Sequence, residues 1–194
     1  MVSSIKATAV FVLFVLIIVF IRLVIPEISY ARSSIDNAEY LVRNLPDKLE
    51  AANMLARLRR RMEKLISHLK QAQDNYPDYH PYVDQLVQRM RTVIISESGE
   101  DSIYTSYSVN KGDEIVFCIR NKKTNRIHPI NLLMYVAIHE LSHVACPEFG
   151  HTELFKRIFA FFATEATKIN LYNKIPFETT PINYCGLLIT DSVI

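Results

Sequence analysis

AIHELSHVACPEFGHTELF, residues 137–155, holds half of the chain's six histidines. The run before it, NLLMYVA at 131–137, is apolar, and helical pattern extends from Pro129 to Val144. On a helix with 3.6 residues per turn, His139 and His143 project from one face, one turn apart. Two imidazoles so placed suit one Zn²⁺ with bonds of about 2.0–2.1 Å. Glu140 is rotated about a quarter-turn from them, where it stands beside a metal without ligating it and accepts a proton from activated water. A catalytic zinc needs three protein ligands and one open position.

Four residues compete for the third ligand. His151 follows a chain reversal signalled by Pro147 and Gly150. Glu165 lies on the next helical stretch, Thr152 to Ile169. Cys146 and Glu148 sit where the first helix ends, and a cysteine there would suit a structural zinc better than a catalytic one. His151 is favoured, giving the metal set His139, His143 and His151, with Glu140 as general base. His128 reads as a loop residue near the start of the metal helix, His80 as an exposed loop residue, and His68 as a helix-surface one.

Upstream, SYSVNKGDEIVFCIR at 106–120 reads as a β-hairpin around NKGD, and TVIIS at 92–96 as a strand. The run 114–120 is a candidate edge for an extended substrate. A helix is expected up to Met90, after the Pro-rich break NYPDYHP at 75–81. Before it, Asp47 is positioned to cap a long helix ending near Gln73. The apolar stripe of that helix is Ala51, Leu55, Leu58, Met62, Leu65 and Leu69. Arg57, Arg60, Arg61 and Lys64 fall on its opposite face. Residues 33–45 are polar with a weak helical pattern, and no helical period follows Pro176. Together these elements predict an α+β fold, a small zincin-like domain of a few strands plus two helices in sequence.

The front is different. Residues 7–21 are uninterruptedly apolar, and after Arg22 the run extends to Ile25, close to the length of about 20 residues that spans a bilayer. Residues 1–26 are therefore expected to be a transmembrane anchor, uncleaved because the run exceeds a usual signal-peptide core. The expected organisation is an anchor at 1–26, a helical linker or stalk at 27–80, and the metallopeptidase domain at 81–194. That makes the chain a single-pass membrane protein contacting lipid through residues 7–25.

Charge excludes long-range attraction to nucleic acid. The chain has 22 Lys and Arg against 20 Asp and Glu, and Lys6 and Arg22 belong to the apolar front, so the remainder is balanced. Three cysteines, Cys118, Cys146 and Cys185, suggest no disulfide framework. With the lack of an Asn-x-Ser/Thr sequon, they point toward a reducing compartment. Cys118 and Cys185 read as core residues.

His139-Glu140-Leu141-Ser142-His143, then Gly150-His151-Thr152 and Phe155, resembles the active-site core of the WLM and SprT-like zinc metallopeptidases. From NKG at 110–112, through FCIR, to YCG at 184–186, the chain is similar to uncharacterised WLM-like proteins of large DNA viruses, over roughly residues 90–190. The resemblance implies zinc on the three histidines, Glu140 as general base and a protein or peptide substrate. The interval between the second and third histidines is two residues longer than in WLM proteins, which implies a bulged loop at 144–150. Family members also cleave proteins crosslinked to DNA or conjugated to ubiquitin-like modifiers, but no zinc-binding or ubiquitin-binding tail is visible here. Tyr184 is a candidate donor to the developing oxyanion, or a packed tyrosine of a C-terminal strand. A non-catalytic alternative keeps the zinc as a staple in an interaction module, with Cys146 or Glu148 as fourth ligand.

Overall fold

The computed structural model describes residues 10–17 and 26–194. The expected membrane span at 7–25 lies largely outside them. Residues 10–17 are helical, and among the described residues no helix is long and apolar enough to cross a membrane.

The chain builds β1 (Ile28–Arg32), β2 (Glu39–Arg43), α1 (Lys48–Ala72), α2 (His80–Arg89), β3 (Ile94–Glu97), β4 (Ser106–Val109), β5 (Glu114–Phe117), α3 (Ile130–Ala145), α4 (Glu153–Lys168), β6 (Ile182–Tyr184) and β7 (Leu187–Ile189). It is a small α+β domain, as the pattern predicts. Two short 3-10 turns, Gln73–Asn75 and Pro77–Tyr79, carry the Pro-rich break. The three-stranded sheet has the order β3-β5-β4, with β3 parallel and β4 antiparallel to β5. β5 is therefore central, correcting the expectation that 114–120 forms an edge. The edge strands are β3 and β4.

Residues 27–80 are not a stalk. Ala51, Leu55, Leu58, Met62, Leu65 and Leu69 are all buried, and α1 packs against α3 and β2 in the same core as Ile138, Phe155 and Tyr184. The polar stretch 33–45 holds the turn and second strand of the β1–β2 hairpin, with Tyr40 and Val42 facing the core. Its turn is held by α1: Asn53 Oδ1 accepts from Ser33 Oγ (3.0 Å) and Ser34 N (2.9 Å). Asp36 Oδ2 accepts from the Tyr40 hydroxyl at 2.6 Å.

The basic residues of α1 are mostly engaged within the fold. Arg57 pairs with Glu50 at 2.9 Å, Arg60 donates to the Ile35 carbonyl, and Arg61 donates to the Leu171 carbonyl at 2.6 Å. Asp47 does not cap α1 with its side chain. Its carboxylate accepts from Arg120 at 2.6 Å, and that bond holds it below the usual carboxylate range. Arg120 also reaches buried Glu97 at 2.7 Å, so a charged network ties β3, the end of β5 and the start of α1 together.

Cys118 and Cys185 form a disulfide across a sequence separation of 67, with Cα atoms 6.4 Å apart. Both are buried in the core, as expected, but their pairing corrects the expectation that the three cysteines form no disulfide framework. The odd cysteine, Cys146, is the free one and is buried. The bond fastens the β6–β7 turn to the end of β5.

Candidate metal centre and cavity

α3 is buried along most of its length, with Leu133, Met134, Ala137, Ile138 and Leu141 fully inside. It leaves one flank open, and His139 and His143 occupy it. The chain leaves α3 at Cys146, turns through Gly150 in the left-handed region (φ 78°), and presents His151 before Thr152 caps α4. Thr152 Oγ1 accepts from Phe155 N at 3.3 Å. The Nε2 atoms of His139, His143 and His151 lie 3.1 Å from one another in all three pairs.

Hydrogen bonding cannot explain that triangle, because a neutral imidazole nitrogen carries either one proton or one lone pair. A tetrahedral ion with bonds of about 2.0–2.1 Å spaces its donors about 3.3–3.4 Å apart, so the three nitrogens fit zinc. Among the described residues no cysteine or carboxylate joins the group. Phe155 packs against all three rings, stacked on His143 at 4.2 Å and 5.0 and 4.9 Å from His139 and His151.

The triad opens into a cavity of about 970 Å³. β4 and the preceding Thr105 form one wall, and Tyr184, Leu187 and Ile189 of the C-terminal hairpin another. One end is apolar, with Tyr135, Val136 and Phe159. The other is polar, with Arg89, Asn110, Lys111 and Glu148.

No family model matches the chain. It is 45% identical over 168 residues to the uncharacterised protein R325 of Acanthamoeba polyphaga mimivirus, across 87% of this chain and 85% of that one. The chain belongs to the R325 family. Two further relatives are also uncharacterised. Protein 136R of Invertebrate iridescent virus 6 is 38% identical over 84 residues, 41% of this chain and 44% of its own length. Protein 042R of Invertebrate iridescent virus 3 is 37% identical over 82 residues, 42% of this chain and 50% of its own. Among solved structures, Wss1 from Saccharomyces cerevisiae overlays 66% of this chain and 87% of its own with a TM-score of 0.44 and 19% identity. A likeness that loose says nothing of activity.

In this member of the R325 family the site's electrostatics favour a cation. Burial, then repulsion from the neighbouring imidazoles, pushes His139 down to about 3. Burial, then His151 and Lys111, pushes His143 down to about 4. Both rings are therefore neutral near pH 7, with lone pairs free to ligate. Glu140 is 3% exposed, and burial alone pushes it up to about 8. A divalent cation at the adjacent triad would draw it back toward the carboxylate.

Tyr184 is buried in the cavity wall, with its hydroxyl 2.7 Å from Ser106 Oγ. Burial raises its pKa, and the charge of Glu140 adds to the effect. The structure therefore brings Glu140 and Tyr184 to one cavity with the three histidines. Glu165 is not there: buried on α4, it accepts from Lys168 (2.6 Å) and Tyr76 (3.1 Å) and contacts His68 Nε2 at 2.8 Å. His68 is thus a partner of Glu165, while His128 is buried and packs on Tyr184 at 5.3 Å.

Sequence reasoning missed the residues that hold the loop before His151, namely Lys111, Gln85 and Arg89. The available signal was NKG at 110–112, where all three residues have positive φ.

Proposed function

We propose that the chain is a zinc-dependent endopeptidase. The observation that carries this is the convergence of three imidazole Nε2 atoms beside a buried, unligated glutamate in the wall of a cavity large enough for a peptide. The resemblance of the motif at 139–155 to the active-site core of WLM and SprT-like peptidases supports the same reading. Zinc on His139, His143 and His151 would supply Lewis acidity toward a carbonyl and toward water.

The chain's own residues do the rest. Glu140 takes a proton from the attacking water and returns it to the leaving amine. β4 pairs with β5 on one side only and lines the cavity from Ser106 to Ser108. Its free edge suits backbone hydrogen bonds to an extended substrate. The apolar end, one turn before His139, suits a large aliphatic or aromatic side chain beside the cleaved bond. Tyr184, held by Ser106, is the candidate donor to the carbonyl oxygen as charge develops.

Glu140→Gln tests the assignment. It is expected to bind zinc as the parent does, while cleavage of unfolded protein falls by about 10²–10⁴-fold. Cleavage at the parental rate would remove Glu140 from the mechanism. Protein crosslinked to DNA is a narrower substrate implied by the resemblance alone, and comparing it with free protein in the same assay would reveal it as a preference.

We also propose that residues 7–25 anchor the domain to a bilayer, as their sequence implies. Glu27 accepts from the backbone of Glu100, and Asn44 donates to the Pro26 carbonyl at 3.3 Å, so the chain enters the domain beside the 99–104 loop. Ile103 and Tyr104 of that loop are 86% and 60% exposed, and such residues suit the interface between lipid and water.

A further inference from the structure

The last carbonyls of a helix have no partner inside it, and they carry partial negative charge. At the end of α3 side chains supply the donors. Gln85 donates to the carbonyls of Val144 (3.2 Å) and Ala145 (2.8 Å), and Arg89 to Val144 (2.7 Å). Beyond them Lys111 Nζ sits among three successive carbonyls, Cys146 at 2.8 Å, Pro147 at 2.7 Å and Glu148 at 2.9 Å. The same ammonium lies 4.2 Å from the centre of the Phe149 ring. All three donors of one lysine are used, on the segment that joins His143 to His151.

The turn that delivers Lys111 is shaped for this approach. Asn110 and Lys111 hold left-handed φ of 47° and 55°, and Asn110 is tied to Asp113 at 2.9 Å. Gly112 has φ of 129°, and a Cβ there would meet Arg89 Cβ at 3.1 Å and Val144 Cγ1 at 3.3 Å. Only glycine lets the hairpin turn come this close to α2 and α3. Phe149, by contrast, is 85% exposed and packs into no core. Beyond buried Cys146, residues 147–150 are exposed and have little apolar burial to hold them.

We propose that Lys111 is a positioning residue for the third metal ligand: by gathering the carbonyls of residues 146–148 on one ammonium, it fixes the loop that presents the His151 imidazole to His139 and His143. This rests on the zinc reading above and adds to it a residue outside the metal-ligand set. A ligand on an unpinned loop must be ordered each time the ion binds, and that ordering is subtracted from affinity.

The test uses the full chain. Zinc affinity is measured by competition with a chromogenic chelator, and ligand geometry by visible absorption of the Co²⁺-loaded protein. Lys111→Met is expected to weaken zinc about 10–100-fold and to change the cobalt spectrum from tetrahedral, with metal-free melting little altered. Lys111→Cys is expected to show the same defect, and aminoethylation of the new thiol, which restores an ammonium, is expected to recover affinity. Cys146 is buried and the other two cysteines are bonded to each other, so the reagent meets residue 111.

Parental zinc affinity in Lys111→Met, or no recovery on aminoethylation, overturns the proposal. Should Lys111→Met not fold, Lys111→Arg decides. It keeps the charge but cannot place one ammonium among three carbonyls, so several-fold weaker binding is expected and parental binding overturns the proposal. A parent chain that takes up no zinc would instead remove the peptidase reading itself.

Discussion

Opening the Cys118–Cys185 bond should cost the domain a large part of its stability. The bond closes a loop with a sequence separation of 67. In the chain-entropy treatment a loop of that length removes about 14–15 cal/mol/K from the unfolded chain, or about 4 kcal/mol at 25 °C. For a domain of this size each kcal/mol moves the melting midpoint by about 2–4 °C, so reduction is expected to lower Tm by about 8–16 °C. The assay is thermal unfolding of the full chain with and without a thiol reductant, alongside the Cys118→Ala/Cys185→Ala double variant. The variant should melt near the reduced parent and be indifferent to reductant. Thiol counting in denaturant without reductant should find one free thiol, Cys146. Three free thiols, or coincident melts with and without reductant, would refute the reasoning. Because Tyr184 adjoins Cys185 and lines the cavity, the reduced chain should also show a raised KM in the proposed peptidase assay before it unfolds.

Two further outcomes follow from named contacts. Burial works against the charged form of Glu165, yet hydrogen bonds from Lys168, His68 and Tyr76 together outweigh it and hold the carboxyl below the ordinary range. A depressed carboxyl stabilises the fold above its unfolded value of about 4.3 and loses that contribution as pH falls through the folded value. Acid melting curves of Glu165→Gln should therefore be flatter than the parent's below about pH 4.3, and equal slopes would contradict the assignment. The chain has no tryptophan, so Ile103→Trp and Ile94→Trp each create a single reporter. Both isoleucines are exposed, at 86% and 61%. In brominated-lipid bilayers Ile103→Trp is expected to be quenched and Ile94→Trp not. Equal quenching of the two would dispose of the proposed bilayer-facing loop.

The parts of this molecule that were legible in the sequence are those set by neighbours along the chain. The HELSH helix, the Thr152 start of α4 and the 106–117 hairpin depend on helical period, a cap and a turn, and the structure places all of them where the pattern does. The β1–β2 hairpin was hidden because its strands are five residues each and its polar turn is satisfied by Asn53, which comes from α1. The central place of β5 depends on a parallel pairing with β3, and no local signal encodes a crossover. The Asp47 side chain was expected at a helix start, and a buried arginine from elsewhere in the chain claimed it. The disulfide was missed because an odd count conceals a pair, and pairing is decided only when β5 and the C-terminal turn meet. Lys111 looked like one more surface lysine, and its role appears only with three carbonyls around it.

Helix α1 has a consequence for how this lineage can change. It forms the platform on which the metal-bearing helix rests, so the motif region is not a cassette that can be lifted out at residue 81. A fragment cut there would expose the undersides of α3 and α4, greasy surfaces with no water-compatible face, and would aggregate. New sequence is best accommodated at the tip of the polar turn, residues 122–124, which are exposed on the surface.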